Sequence, residues 1–400
     1  MLVVLGACDL GDAGEPTSSD TGFTQYDSAG VIISVTPAAE ANAPLEWKID
    51  PDEVLRIGEG GSPDEEFFRI GGVQQLPGGE VVVADGGSGE LRVFGPDGIL
   101  KARFGRFGDG PEEFRDPSLV VPAFGFDSLL VFDSRFRPSF HVISPDGEGW
   151  RRLGPWTIGP YGRLPSSRAP LGASGSRVLM DGALHTPRIT GPGVHERPRT
   201  LHWVDLESDD RTTIARFAIG RTFVAEWSDD RPPFTWAIPF LNLSPPAAVA
   251  PDGAFVTLHE PEVEKYDLDG TLSRIFRVEG AARTVTRAHM DADIEARVRR
   301  TTVSRAEYET RFARMPLPET LPAFQHLQVD DLGWLWAEIY EVGPDPPTRW
   351  MIFDPDGRAR GTLEALPGFT AHHIGEDFIL GVWTDDLGVE YVQRHPLQRR

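Results

Sequence analysis

Gly58-Glu59-Gly60-Gly61-Ser62-Pro63-Asp64-Glu65-Glu66-Phe67 and Gly105-Arg106-Phe107-Gly108-Asp109-Gly110-Pro111-Glu112-Glu113-Phe114 are two copies of one pattern: glycines, a proline, paired acids and a closing phenylalanine. The two phenylalanines, Phe67 and Phe114, stand 47 residues apart. Each copy follows a strand-like segment, 54–57 in one case and 99–104 in the other, and each leads into an apolar run and a tight turn. Self-similarity with a period in the forties is the mark of a propeller blade of four strands, a unit that buries its faces only when neighbours flank it.

Working outward from the first copy, 72–76 reads as an innermost strand, Pro77-Gly78-Gly79 as a turn, and 80–84 as a second strand ending at Asp85. Residues 91–94 alternate as a third strand, and Pro96-Asp97-Gly98 turns the chain into the fourth, 99–104, because Pro presets φ and Gly takes the positive φ such a turn needs. The first turn of each unit recurs at Gly78, Asp127, Ser174, Asp252, Asp331 and Glu376, which makes six units. The sixth runs out of chain after its third strand, 389–394, and its missing outer strand is expected to be 54–57, brought round from the N-terminus. Such a strand closes the ring and removes an open sheet edge. The expected fold is therefore all-β, a six-bladed β-propeller over residues 30–400 closed by an N-terminal strand, with a helical insertion at about 283–318 between units four and five.

The segment Gly108-Asp109-Gly110-Pro111-Glu112-Glu113-Phe114, the strand end Val83-Ala84-Asp85 and the Pro-Asp-Gly turns resemble those of NHL-like six-bladed propellers of the bacterial lipoprotein type. The resemblance covers roughly residues 30 to 396 and implies architecture, since this fold hosts lactonases, lyases and pure binding proteins alike.

Cys8 is the single cysteine, so the globular part holds no disulfide, no cysteine zinc cluster and no catalytic thiol. Leu5-Gly6-Ala7-Cys8, at the end of a short apolar run, resembles a bacterial lipobox, which implies cleavage before Cys8 and lipid attachment to its sulfur, with 1–8 as a signal remnant and 9–29 as a flexible Gly, Ser, Thr and Asp-rich tether. The expected location is the cell envelope, with membrane contact through the lipid alone, because no later run approaches the roughly 18 apolar residues of a spanning helix. A net charge of −22 opposes binding to nucleic acid and to anionic headgroups.

Alternation of strands places the first-to-second and third-to-fourth turns on one face, where they are short. The long connections, 181–200, 218–244, 279–324 and 340–348, all emerge on the other. Long loops on a rigid scaffold carry function disproportionately, so this is the expected working face. Met290, Ile294 and Val298 share a helical stripe, and Ser304 with Glu307 forms a capping box opening a second helix that carries Tyr308, Phe312 and Met315.

No Gly-x-Ser-x-Gly elbow, His-Glu-x-x-His pair, phosphate loop or calcium loop is present. Candidate ligand-binding residues on the long-loop face or the channel strands are Arg188, His195, Trp227, Trp236, His326 and His372. Aromatic platforms with Arg suit sugars, peptides or protein surfaces, and a Trp packed against a neighbouring unit is the structural alternative. Of the adjacent pair His372-His373, strict strand alternation aims only one along the channel. Asp85, Asp133 and Asp181 recur at strand ends, either as a ring of carboxylates or as turn residues accepting backbone hydrogen bonds. The expected function is an extracytoplasmic binding or scaffold protein holding a protein, carbohydrate or peptide ligand on the insertion face, without a cofactor. The alternative is a lactonase-like metal-dependent hydrolase or lyase using Ca or Zn at the channel mouth, with His259 and Glu262 as candidate ligands.

Overall fold

The computed structural model describes residues 17–18, 22–59, 65–110, 112–123, 128–133, 139–144, 150–153, 170–183, 190–196, 198–208, 210–217, 221–226, 235–241 and 245–399. Cys8, Arg188 and Trp227 lie outside them. The fold is all-β, and six of its sheets share one plan in which four strands pair antiparallel with their neighbours. The first sheet is Ile70–Gln75, Val81–Asp85, Glu90–Phe94 and Leu100–Phe104, and the second is Pro117–Ala123, Ser128–Asp133, Ser139–Ile143 and Trp150–Leu153. The third uses Gly172–Ser174, Arg177–Ala183, Arg199–Asp205 and Arg211–Phe217, and the fourth Ala247–Ala250, Gly253–Thr257, Glu262–Asp267 and Leu272–Glu279. The fifth is Phe324–Val329, Leu335–Ile339, Arg349–Phe353 and Ala359–Glu364. In the sixth, Phe369–Ile374, Phe378–Thr384 and Glu390–Gln398 are completed by Leu55–Ile57, with Ile57 opposite Val392 and Leu55 opposite Arg394.

Alternation along the strands explains why each sheet needs two neighbours. Val81 and Val83 point into a cluster with Leu380, Val382 and Val392 of the sixth sheet, while Val82 and Ala84 point the other way, onto Phe114, Val120 and Val131 beside the second. Leu129 and Val131 face the first sheet, whereas Leu130 and Phe132 face Val178, Met180 and Val204 of the third. Comparable clusters join the third to the fourth sheet, the fourth to the fifth, and the fifth to the sixth. Strands buried on both faces read as continuous apolar runs, and at about 25 cal/mol per Å2 their burial is the main stabilising term.

The N-terminal segment departs from its expected role as a tether up to residue 29. Thr24–Ser28 pairs with Val31–Pro37, which lies parallel along Leu272–Glu279 at the outer edge of the fourth sheet. The chain then crosses to the fifth sheet, where Leu45 donates to the Thr362 carbonyl and Thr362 to that of Ala43, before reaching the sixth. Its β-branched residues, Val31, Ile32, Ile33 and Val35, favour adding to an open edge.

The long connections build a second, smaller core. Gly193–Glu196, Arg221–Val224 and Thr235–Ala237 form a separate sheet drawn from two of the expected loops. Against it lie two helices, Arg287–Arg300 and Arg305–Arg314. Ser304 caps the second by accepting from the Glu307 backbone N–H, and Ile294, Tyr308, Phe312 and Met315 are buried together with Ile238. The helical stripes therefore pack onto this added sheet rather than directly onto the blade-like strands. None of the described helices is long and apolar enough to cross a membrane.

Candidate functional site

The innermost strands share a backbone device. A register shift falls between Ile70 and Gly72, Pro117 and Leu119, Phe324 and His326, and Ala371 and His373. The extra residues are Gly71, Ser118 and Gln325, each next to the start of its strand at the end facing the long connections, and His372, which lies two pairs from the opposite end of its strand. Bulges re-aim side chains and gather beside functional sites. At the doublet His372-His373 the bulge suspends the strict alternation expected from the sequence.

Between the fifth and sixth sheets, at this end, lies a cavity of about 420 Å3. Trp350 and Phe369, both nearly fully buried, form its floor. Gln325, His326, Glu338, Thr348 and Thr370 supply polar walls, drawn from two strands of the fifth sheet, the 340–348 connection, and the first strand of the sixth. The cavity stays open because little covers it: the link between the two sheets is residues 365–368 alone. Gln325 Nε2 donates to Glu338 Oε1 over 2.6 Å, and the His326 ring meets Trp350 edge-on at 5.9 Å.

Two imidazoles at this mouth are held neutral. Burial pushes His372 down to about 4, aided by the charge of nearby His326. The ring of His326 is reached from the cavity, yet the protein around it lowers its pKa, an effect that Glu338 partly offsets. Both rings therefore serve as hydrogen-bonding groups at neutral pH. Nearer the opposite end, His373 knits three sheets together: Nδ1 accepts from the Gln75 N–H at 3.2 Å and Nε2 meets Asp331 Oδ1 at 3.0 Å.

The remaining candidates are dispersed. His195 sits in the added sheet with Nε2 at 2.8 Å from the Gly191 carbonyl oxygen. Trp236 packs on Phe223 of the added sheet beneath Arg311 and Arg314. His259 Nε2 meets Thr320 Oγ1 at 2.9 Å, and Glu262 pairs with Arg277 at 2.7 Å, so both proposed metal ligands are engaged elsewhere. Among the described residues no three His, Cys, Asp or Glu side chains converge as a metal site. The strand-end aspartates are buried anchors and not an open carboxylate ring. Asp85 accepts from the Phe68 and Gly87 N–H groups, Asp133 from those of Arg115 and Asp116, and Asp181 pairs with Arg199. Gln325, Glu338 and Thr370 were not singled out in the sequence. No motif or repeat position in the sequence marks any of the three.

No family model matches the chain, an NHL model included, and no curated protein matches it. Among solved structures it is similar to a member of the DUF4221 family from Bacteroides vulgatus, with 10% identity, a TM-score of 0.53, and 88% of this chain and 99% of that one covered. It is also similar to a Bacteroides fragilis protein described as a candidate for export, at 10% identity and TM-score 0.47 over 92% and 99% of the two chains. A streptogramin B lyase aligns at 8% identity and TM-score 0.34 over 88% and 97%. Likeness at these identities concerns the fold alone.

Proposed function

We propose that this chain is an exported binding protein: a closed six-bladed propeller that holds a small polar ligand, or one polar side chain of a partner, in the cavity between the fifth and sixth sheets. The observation carrying this reading is the cavity itself, at the long-connection end, floored by Trp350 and Phe369 and walled by hydrogen-bonding groups. Concave sites with an apolar floor and a few convergent polar groups are the usual form of a binding pocket. Closure of the ring is supported by the Leu55–Ile57 strand and by apolar clusters running from sheet to sheet and from the sixth back to the first. Export agrees with the description of the Bacteroides fragilis neighbour, and anchoring through Cys8 rests on the lipobox-like Leu5-Gly6-Ala7-Cys8.

Thr370 is exposed at the rim, so Thr370→Trp fills the cavity without touching the core. In a thermal-shift screen of sugars, dipeptides and amines, ligands of the site stabilise the native protein and leave the Trp variant unmoved. Equal shifts in both proteins, or none in either, refute the assignment. Cys8→Ala is expected to move the protein from the membrane to the soluble fraction, and unchanged fractionation refutes the anchor.

A further inference from the structure

Glu338 makes no ion pair among the described residues, unlike several acids of this face. Asp181 is paired with Arg199, Glu262 with Arg277, Glu341 with both Arg283 and Arg349, and Asp345 with Arg299. Among the described residues Glu338 makes no salt bridge, and its hydrogen-bond partner is the neutral amide of Gln325. Neither Arg nor Lys lines its cavity, although Arg349 lies next to the lining residue Trp350 and takes part in the Glu341 network instead. A half-buried carboxylate without a counter-charge leaves part of its electrostatic energy unused until a cation arrives.

The rest of the cavity suits a cation of one kind. Trp350 and Phe369 give a floor whose π electrons favour positive charge, and Thr348, Thr370 and Gln325 offer oxygen acceptors to N–H donors. An inorganic divalent ion would require several converging carboxylate or imidazole ligands, and no such trio is present among the described residues. The chain's net charge of −22 draws organic cations toward the surface and repels anions.

We infer that the cavity between the fifth and sixth sheets takes an organic ammonium or guanidinium group, paired with Glu338 and resting over Trp350 and Phe369. This rests on the binding-protein reading and names its ligand chemistry. The cation is supplied either by a free amine or by a Lys or Arg side chain of another protein, and the probes below separate the two.

The test is calorimetric titration of the purified full-length protein at pH 7.5 with putrescine, N-acetyl-lysine amide and N-acetyl-arginine amide, beside glucose, acetate and calcium chloride. Saturable binding of at least one cationic probe is expected, weakened tenfold or more in Glu338→Gln and abolished in Thr370→Trp. Glu338→Gln preserves shape and the hydrogen bond from Gln325, so an unchanged melting temperature accompanies the loss. Preference for the two blocked amino acids assigns the site to protein side chains, and preference for putrescine assigns it to free amines. Cation binding undiminished in Glu338→Gln overturns the inference. Glucose or acetate binding that is lost in Thr370→Trp but kept in Glu338→Gln overturns it while leaving the binding-protein reading intact, and calcium binding alone overturns it as well. Absence of any binding overturns both.

Discussion

The junction of the first and second sheets and the junction of the fifth and sixth are built on one backbone plan and reach opposite results. In both, the inner strand carries a register shift next to its start, at Gly71 and Ser118 in the first and second sheets and at Gln325 in the fifth, while that of the sixth falls later, at His372. At the first junction the space is closed. A Cβ on Gly71 would overlap the Pro117 carbonyl oxygen and the Ser118 backbone, and Phe114, fully buried, fills the seam against His141. Gly105, at φ +86°, lets the connection turn beneath that ring, since a Cβ there would stand 2.7 Å from it. At the other junction the connection shrinks to 365–368 with no such plug, and the bulged position bears Gln325 at the rim of a cavity. A shared bulge thus closes a seam or opens a site according to the side chains placed on it and the segment laid over it.

The largest effect expected from breaking this contrast is at the plug. Phe114→Ala should cost about 3–5 kcal/mol, the usual penalty for emptying a buried aromatic site, seen as a lower denaturant midpoint with an unchanged slope. Gly71→Ala should follow at about 1–3 kcal/mol because the methyl group meets backbone that cannot turn aside. Gln325→Ala, at the matching position of the open junction, should change stability by less than about 0.5 kcal/mol. Equal losses at Gly71 and Gln325 would show that the bulges are equivalent after all.

A pH-dependent effect also separates the junctions. The groups concerned are His372, which faces His326, and His326, which faces Glu338. Both imidazoles have native pKa values below that of the unfolded chain. The unfolded chain therefore binds more protons between roughly pH 6.5 and about 4, and stability falls as pH is lowered through that window. The His372 share is on the order of 1–3 kcal/mol, present in full above pH 6.5. In His372→Gln the slope of stability against pH should flatten across this range, and an identical slope would contradict the assignment. Charging these imidazoles also places positive charge beside Glu338, so affinity for a cationic ligand should decline over the same interval.

Much of the architecture was legible because it is written in local, repeated patterns. The doubled Gly and Glu-Phe segment set the period, the turn residues at Gly78, Asp252 and Asp331 marked units, and the sixth unit's want of a strand pointed to residues near Ile57, more than 300 positions away. The capping pair Ser304 and Glu307 announced a helix that is there. The N-terminal hairpin was read instead as tether, because 24–28 is polar and its edge partner, Leu272–Glu279, is distant in sequence. Trp236 was read as a ligand platform because composition does not reveal that an added sheet and a helix pair will enclose it.

What the sequence by itself determined is the four-stranded repeat, the N-terminal strand that completes the sixth sheet and the segments that form long connections, all consequences of period-two alternation, turn chemistry and counting. Only the tertiary structure decided which junction between sheets stays open, that the strand-end aspartates are engaged by backbone N–H groups or by arginine, and that Glu338 meets Gln325 without an arginine. The physical reason is that openness and charge compensation belong to groups brought together from separate strands. No single stretch of chain records whether the space between two sheets will be filled by a phenylalanine or left to a ligand.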